Sequence, residues 1–542
     1  MKRLTKSYKY FTLKKLMKIV SVIIIVHFVI FYIFLQVWLF QQKPKLDLIK
    51  LNLPYVIVHL DMKGAPPKLT YLESLLPILK EYGANGLLVE YEDMFPYDGE
   101  LNHLRSGHSY NRDELGHFIT SATEMGFEVI PLIQTFGHME FVLKLNKYIE
   151  LREDSMYSDS ICPSQEKSLK ILRTMINQVM DFHSEFSRIK YIHIGCDEVY
   201  RINTCSLCKD RNMTKEDLFL HHVVKMSSSI QEMNPNVKVL IWDDMLRHIK
   251  PKTLQKYDLQ NYVEPVYWDY RPNIAQVSHA NLYKYYLTFN NSLWIASAFK
   301  GADGNEAVLP DLVNRFRNHY AWMKFIKGYN FGGDLTVSFK GIFLTGWSRY
   351  SHFENLCELL PSSIHSLVLN LLVVNECKND TKALSTIDDY ERFFKNMESK
   401  LRNNLHCDTN VDLNSFDSYR CFYNERKIYT VLQDYLGNLT QFESDCEIDA
   451  ISKTLAKNKE LNRDVILKVN KKYDLFTQCL KSLLSFEEEL TETLKLYYDK
   501  FVIKEYISYK IEIHKNRILE KFKYIENNVK KIKHKLFTVT EF

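Results

Sequence analysis

Between residues 54 and 347 the chain repeats one pattern: a short apolar run rich in β-branched and aromatic residues, then in nearly every case a polar or aromatic residue, then a longer segment. Apolar runs bounded in this way read as buried strands, and apolar residues spaced three and four apart read as helices packed on them. Strands are predicted at residues 55–60, 86–90, 128–134, 191–195, 237–242, 261–268, 293–299 and 341–347. Helices are predicted at 69–82, 112–125, 166–186 and 215–234, the last capped by Thr214. Eight strands with helices between them over roughly 300 residues make an α/β fold of the (β/α)8 TIM-barrel type. A doubly wound open sheet is the alternative, but no phosphate-binding glycine fingerprint follows the first strand.

In a parallel barrel the C-terminal strand ends converge on one mouth, where loops assemble a site. The residues that fall there are Asp61, Glu92, His138, Asp197, Glu198, Asp243, Tyr267 and Trp347. The run Tyr191-Ile192-His193-Ile194-Gly195 can hardly be other than an interior strand, and it delivers two adjacent carboxylates, Asp197 and Glu198, just past its end. That placement favours acid/base chemistry over a polar loop start. Adjacency also predicts a raised Glu198 pKa, because one carboxylate disfavours a second charge beside it.

Both ends of the chain differ from the middle. Residues 1–18 hold seven Lys and Arg and no acid, and residues 19–40 are interrupted only by Ser21, His27 and Gln36. An apolar run of 22 residues is long enough to cross a bilayer as a helix, and the charge before it keeps the N-terminus cytosolic. The expected organisation is a basic tail (1–18), a transmembrane anchor (19–40), a stem (41–53), the barrel (54–375) and a helical C-terminal region (376–542). This describes a single-pass type II membrane protein whose catalytic part is lumenal or extracellular, in the Golgi, endoplasmic reticulum or cell surface. Sequons at Asn212, Asn290, Asn379 and Asn438 are consistent with that side. The C-terminal region, rich in Leu, Lys, Glu and Tyr at helical spacing, suits a bundle packed on the barrel or a homodimer contact.

A net charge of +5, with lysines densest near the two ends, leaves no basic face for nucleic acid. Of the ten cysteines only Cys205 and Cys208 form a C-x-x-C. With no second ligand pair at suitable spacing, a local disulfide is expected ahead of a zinc half-site. No metal and no cofactor are expected.

His193-Ile194-Gly195-Cys196-Asp197-Glu198 resembles the H-x-G-x-D-E signature of family 20 glycoside hydrolases, the β-N-acetylhexosaminidases. Residues 59–67, 90–97, 134–141, 242–247, 298–301 and 344–347 are also similar to members of that family, so the resemblance spans about 54–370 and its motifs fall at the predicted strand ends. It implies removal of terminal N-acetylhexosamine (GlcNAc or GalNAc) from a glycan by a substrate-assisted, retaining route. The sugar's own acetamido oxygen attacks the anomeric carbon, Glu198 protonates the leaving oxygen and later deprotonates water, and Asp197 accepts the acetamido N–H. The resemblance further implies that Trp242, Trp268 and Trp347 wall the acetamido pocket, that Tyr267 bonds the acetamido oxygen and that His138 supports the pair. Asp61 and Glu92 complete the candidate substrate-binding set, and His193 is a supporting group.

Two departures matter. Lysosomal-type members carry an α/β domain before the barrel and an arginine at the end of the first strand; here the first strand ends in Asp61 and Lys63, so the arginine's role cannot be carried over. Two other classes compete. A metal-dependent barrel hydrolase would use His59, Asp61, His138, His193 and Asp197, but no H-x-H lies on the first strand. A tethered sugar-binding barrel would keep the tryptophans and have no need of the acid.

Overall fold

The computed structural model describes residues 51–527 apart from 52, 275–278, 290–291, 332–337, 380–386, 446–462 and scattered positions after 513, together with His27, Phe31 and Tyr32. Residues 1–50 and 51–542 form separate units. The span at 19–40 lies outside the described residues but for those three, which are helical. Among the described residues no helix is long and apolar enough to cross a membrane.

The apolar runs form β1 (Tyr55–Asp61), β2 (Gly86–Glu90), β3 (Glu128–Leu132), β4 (Tyr191–His193), β5 (Lys238–Trp242), β6 (Glu264–Trp268), β7 (Ser292–Lys300) and β8 (Ser338–Gly346). They pair in sequence order as a closed parallel barrel, with β1 meeting β8 at Val56↔Ile342. The helices that follow the strands in turn are α1 (Leu69–Glu81), α2 (Arg112–Glu124), α3 (Glu166–Phe186), α4 (Lys215–Met233), α5 (Pro251–Lys256), α6 (His279–Thr288), α7 (Leu312–Phe331) and α8 (Ile364–Asn379). The Thr214 hydroxyl accepts from Asp217 N–H, as the predicted cap requires.

Side-chain parity sets what each strand residue does. Ile57, Leu88, Ile130, Leu240, Val266 and Phe343 fill the barrel interior, while their neighbours Val58, Leu87, Val129, Val239, Tyr267 and Leu344 pack against the helix layer. Both faces are buried, which is why the strands read as continuous apolar runs and not as alternation. Inward parity carries on to His59, Glu90 and His193, so the upper interior is polar. Glu90 accepts from Gln134 Nε2 at 3.2 Å and meets His59 Nε2 at 3.1 Å. Burial works against its charge, yet the hydrogen bond from His59 and the charge of Lys63 hold its pKa down at about 2. Burial lowers His193 to about 3, and its Nδ1 accepts from Gly195 N–H at 3.0 Å.

Beyond the barrel lie α9 (Tyr390–Asn404), α10 (Arg426–Asp445), α11 (Arg463–Leu494) and α12 (Lys500–Ile507). Their last part packs on the barrel: Lys68 N–H donates to the Tyr497 carbonyl at 2.7 Å, Tyr498 Oη accepts from Leu360 N–H at 3.3 Å, and Arg349 pairs with Glu505. Cys407 and Cys421 form a disulfide between α9 and α10. The local disulfide expected at Cys205 and Cys208 does not form; both thiols are free. Folding instead brings Cys162 and Glu153 beside them, a grouping that sequence spacing does not display.

Candidate active site

Gly195 explains the chemistry at the end of β4. Its φ is +65°, and an added Cβ would lie 1.9 Å from Gln134 Oε1, so only glycine lets the chain turn here. Cys196 and Glu198 follow in the left-handed region at φ +68° and +49°, and His138 after β3 sits at +53°. Non-glycine residues held there carry on the order of 1–3 kcal/mol of strain each, sustained by surrounding structure. Part of that structure is Asp244, whose Oδ2 accepts from Glu198 N–H at 2.9 Å. A Cβ on Gly137 would come within 2.2 Å of the Asp197 carbonyl, so the β3 and β4 loops lie against each other.

This close approach sets His138 Nε2 at 3.5 Å from Asp197 Oδ2 and 3.3 Å from Glu198 Oε2. Burial alone would lower the His138 pKa, but Asp197 and Glu198 outweigh it and raise it to about 10. Asp197 is raised by burial, with the His138 cation opposing the rise. Its Oδ1 is buried and finds no partner among the described residues. Glu198, whose side chain is 38% exposed, is lowered, first by its hydrogen bond to His138. The raised Glu198 expected from adjacency is therefore corrected: the histidine beside the pair outweighs the neighbouring carboxylate, and burial places the upward shift on Asp197. Tyr200 Oη donates to Glu198 Oε1 at 2.8 Å.

The pair opens into a cleft of about 970 Å³. Of the sequence-predicted residues, His138, Asp197, Glu198, Trp242, Trp268 and Trp347 line it. Trp347 and Trp242 have ring centres 5.8 Å apart, and Lys300 Nζ donates to the Trp347 carbonyl at 2.6 Å. Trp268 Nε1 donates to Asp244 Oδ1 at 3.3 Å, and burial with the Asp197 charge raises Asp244 to about 7.

Four of the predicted strand-end residues do not line the cleft. Asp243 is fully buried, paired with Arg247 and accepting from Tyr285 Oη at 3.1 Å. Asp61 accepts from the Lys63 and Ser348 N–H groups at 2.9 and 2.7 Å, tying the β1 loop to the β8 loop. Glu92 is 3% exposed and pairs with Lys63 and His352 beneath the surface. Tyr267 has the wrong parity: it points from β6 to the helix layer, against Tyr285, Trp322 and the Arg247 guanidinium. Three residues along, Tyr270 lines the cleft, stacks on Trp268 at 5.2 Å and accepts from Trp347 Nε1 at 3.2 Å. Inward parity counted from Val266 through Trp268 is the signal that finds Tyr270. Lys63 also lines the cleft. Burial would lower its pKa, but Glu92, Glu90 and Asp61 raise it, so it presents a cation to the cleft. Among the described residues, the His59, His138 and His193 set is not gathered closely enough to share a metal.

The chain is similar to known glycoside hydrolases. The model of the glycosyl hydrolase family 20 catalytic domain matches residues 72–358, more than half of the 542-residue chain. Hexosaminidase D of Homo sapiens is 41% identical over 335 residues, covering 60% of this chain and 67% of that protein. Hexosaminidase D of Bos taurus is 42% identical over 320 residues, covering 58% of this chain and 90% of that protein. Among solved structures, a beta-N-acetylhexosaminidase from Bacteroides fragilis superposes with a TM-score of 0.45 at 16% identity, over 63% of this chain and 71% of that one. On the family match and the coverage of both hexosaminidases, the chain belongs to glycosyl hydrolase family 20 and is a glycoside hydrolase.

Proposed function

We propose that the protein is an exo-β-N-acetylhexosaminidase acting by substrate assistance, with Glu198 as general acid/base and Asp197 as the residue that orients the acetamido group. The observation that carries this is the buried Asp197 Oδ1, without a partner among the described residues, beside a cleft-facing Glu198, both held by the same strained turn. A buried carboxylate oxygen without a donor is costly, and an acetamido N–H supplies one. With the N–H held there, the acetamido oxygen is turned toward the anomeric carbon and bonds to it as the glycosidic C–O bond breaks. Glu198 gives its proton to the departing oxygen. The resulting oxazolinium carries positive charge that Asp197 offsets. Glu198, now a carboxylate, takes a proton from water as that water attacks the anomeric carbon and reopens the ring, so two inversions give net retention.

Glu198 is held low in the free protein, which suits the second step. Sugar entering the cleft covers its exposed part, removes water and raises its proton affinity for the first step. Trp242, Trp268 and Trp347 supply apolar faces for the sugar and its acetyl methyl, with the Tyr270 hydroxyl among them. Turnover of chromogenic N-acetyl-β-glucosaminide and N-acetyl-β-galactosaminide by the purified chain, lost in Glu198→Gln on unactivated substrates, tests the reading. Failure to hydrolyse either sugar would leave a sugar-binding barrel.

The 22-residue apolar span behind seven basic residues supports a type II anchor with the catalytic barrel in the lumen or outside the cell. Alkaline carbonate extraction with protease protection tests it: release into the soluble fraction, or digestion of a C-terminal tag in intact microsomes, contradicts it. A homodimer through the C-terminal helices is checked by the mass of the purified chain in solution.

A further inference from the structure

We propose that Glu153, Cys162, Cys205 and Cys208 form a structural zinc site that ties the connection after β3 to the loop after β4. Cys162 Sγ lies 3.4 Å from Cys205 Sγ and 3.7 Å from Cys208 Sγ, and Cys208 Sγ lies 3.2 Å from Glu153 Oε2. All four ligand atoms fall within 4.8 Å of one another. A tetrahedron with Zn–S about 2.3 Å and Zn–O about 2.0 Å has edges near ~3.8 Å between sulfurs and ~3.5 Å between sulfur and oxygen. These three spacings fall 0.1–0.4 Å short of those edges, and the remaining three pairs lie within 4.8 Å.

The ligands are also aimed. Thr204 and Cys205 N–H donate to Glu153 Oε1 at 2.7 and 3.2 Å, which leaves Oε2 turned to the sulfurs. Cys208 N–H donates to Cys205 Sγ at 3.3 Å, and Ser164 Oγ lies 3.1 Å from Cys208 Sγ. Outer hydrogen bonds of this kind fix ligand orientation and stabilise the charged form that a metal binds. Glu153, Cys162 and Cys208 are at most 1% exposed and Cys205 is half-buried; four protein ligands leave no open position, as in structural zinc sites. Three thiols and a carboxylate suit a borderline-soft ion without redox demands. A Cys162–Cys205 disulfide would need the sulfurs to close from 3.4 Å to about 2.05 Å, and would leave Cys208 with only Glu153 and Ser164 as partners.

None of the four residues lines the catalytic cleft, so the metal's work is mechanical. The two segments it joins reach the site from either side. Ile161 N–H donates to the Phe136 carbonyl at 3.1 Å and Met139 N–H to the Asp159 carbonyl at 2.9 Å, while Arg201 pairs with Asp159. His138 stands between Phe136 and Met139, and Arg201 follows Glu198 by three residues. Zinc therefore braces the two loops that hold His138 against the carboxylate pair.

The test is the metal content of the full-length chain purified without chelator, read together with its thiols. A stoichiometric zinc is expected, along with thiolate-to-metal charge-transfer bands when cobalt replaces it. The metal should be lost in Cys208→Ser and Cys162→Ser and retained in Cys377→Ser, a buried cysteine outside the cluster. Where a variant fails to fold, the wild-type chain answers: stripping zinc should lower Tm and re-addition restore it. A wild-type chain without bound zinc, a Cys162–Cys205 disulfide in peptide maps, or zinc retained in folded Cys208→Ser overturns the proposal. Each readout is independent of glycosidase activity.

Discussion

Replacing His138 by glutamine should shift the pH profile of kcat/KM upward while keeping a hydrogen-bond donor in place. The histidine, with a pKa raised to about 10, is a cation through the working range, and its Nε2 is 3.3 Å from Glu198 Oε2. Two unit charges at that distance interact by about 1.3 kcal/mol in water and about 5 kcal/mol at an effective dielectric of 20. Because the Glu198 side chain is 38% exposed, the lower figure applies. At 1.36 kcal/mol per unit, that is a shift of about one pH unit. Glu198 works as acid only when protonated, and its pKa is lowered by His138, so loss of the cation raises it and the alkaline limb moves to higher pH. Asp197 works as an anion, and His138 lowers it too, so the acid limb moves the same way. The two limbs belong to the three coupled groups together. The assay is kcat/KM against pH on an alkyl N-acetylglucosaminide, whose poor leaving group makes protonation limiting. An alkaline limb that stays put or moves down refutes the reasoning, even if the absolute rate falls.

Further expectations bear on single residues. Glu198→Gln should abolish turnover of poor leaving groups and partly spare activated aryl glycosides; equal loss on both would argue that Glu198 is structural or that water deprotonation limits. Tyr270→Phe should lower kcat/KM, whereas Tyr267→Phe, altered behind the strand, should leave turnover near wild type; the reverse ranking would contradict the parity argument. Glu90, fully buried with a pKa of about 2, stabilises the fold above its ordinary value of 4.5 and loses that contribution as pH falls toward 2. Chemical denaturation of Glu90→Gln should therefore show a deficit of about 3 kcal/mol near neutrality that shrinks between pH 4.5 and 2, and a pH-independent difference would contradict it.

Strand positions were legible because parallel barrel strands are apolar on both faces and end where polarity begins. Each of the eight falls within three residues of its expected start. The Asp197–Glu198 pair and the three tryptophans were legible for the same reason. What failed depended on direction or on distant partners. Tyr267 and Trp268 are neighbours in sequence, but a strand sends them to opposite faces, and it is Tyr270, a loop residue, that reaches the cleft. Asp61 and Glu92 stand at strand ends yet turn to backbone N–H groups, Lys63 and His352 in place of the cleft. The sign of the Glu198 shift hinged on His138, 60 residues earlier in sequence. Cys162 and Glu153 sit more than forty residues before Cys205, too far for a spacing rule to join them.

The attack by the substrate's own acetamido oxygen is tested most directly by successive fluorination of the N-acetyl methyl. Fluorine draws electron density from that oxygen while adding little bulk, and no protein atom changes. If the acetamido group is the nucleophile, the rate falls steeply from acetyl to trifluoroacetyl and no covalent enzyme intermediate is trapped. Asp197→Asn, which removes the charge facing the oxazolinium, should cost on the order of 10²–10³ in rate on the unsubstituted sugar. A flat response across the series, with a 2-fluoro sugar labelling Asp197, would contradict substrate assistance and make Asp197 the nucleophile of an ordinary double displacement.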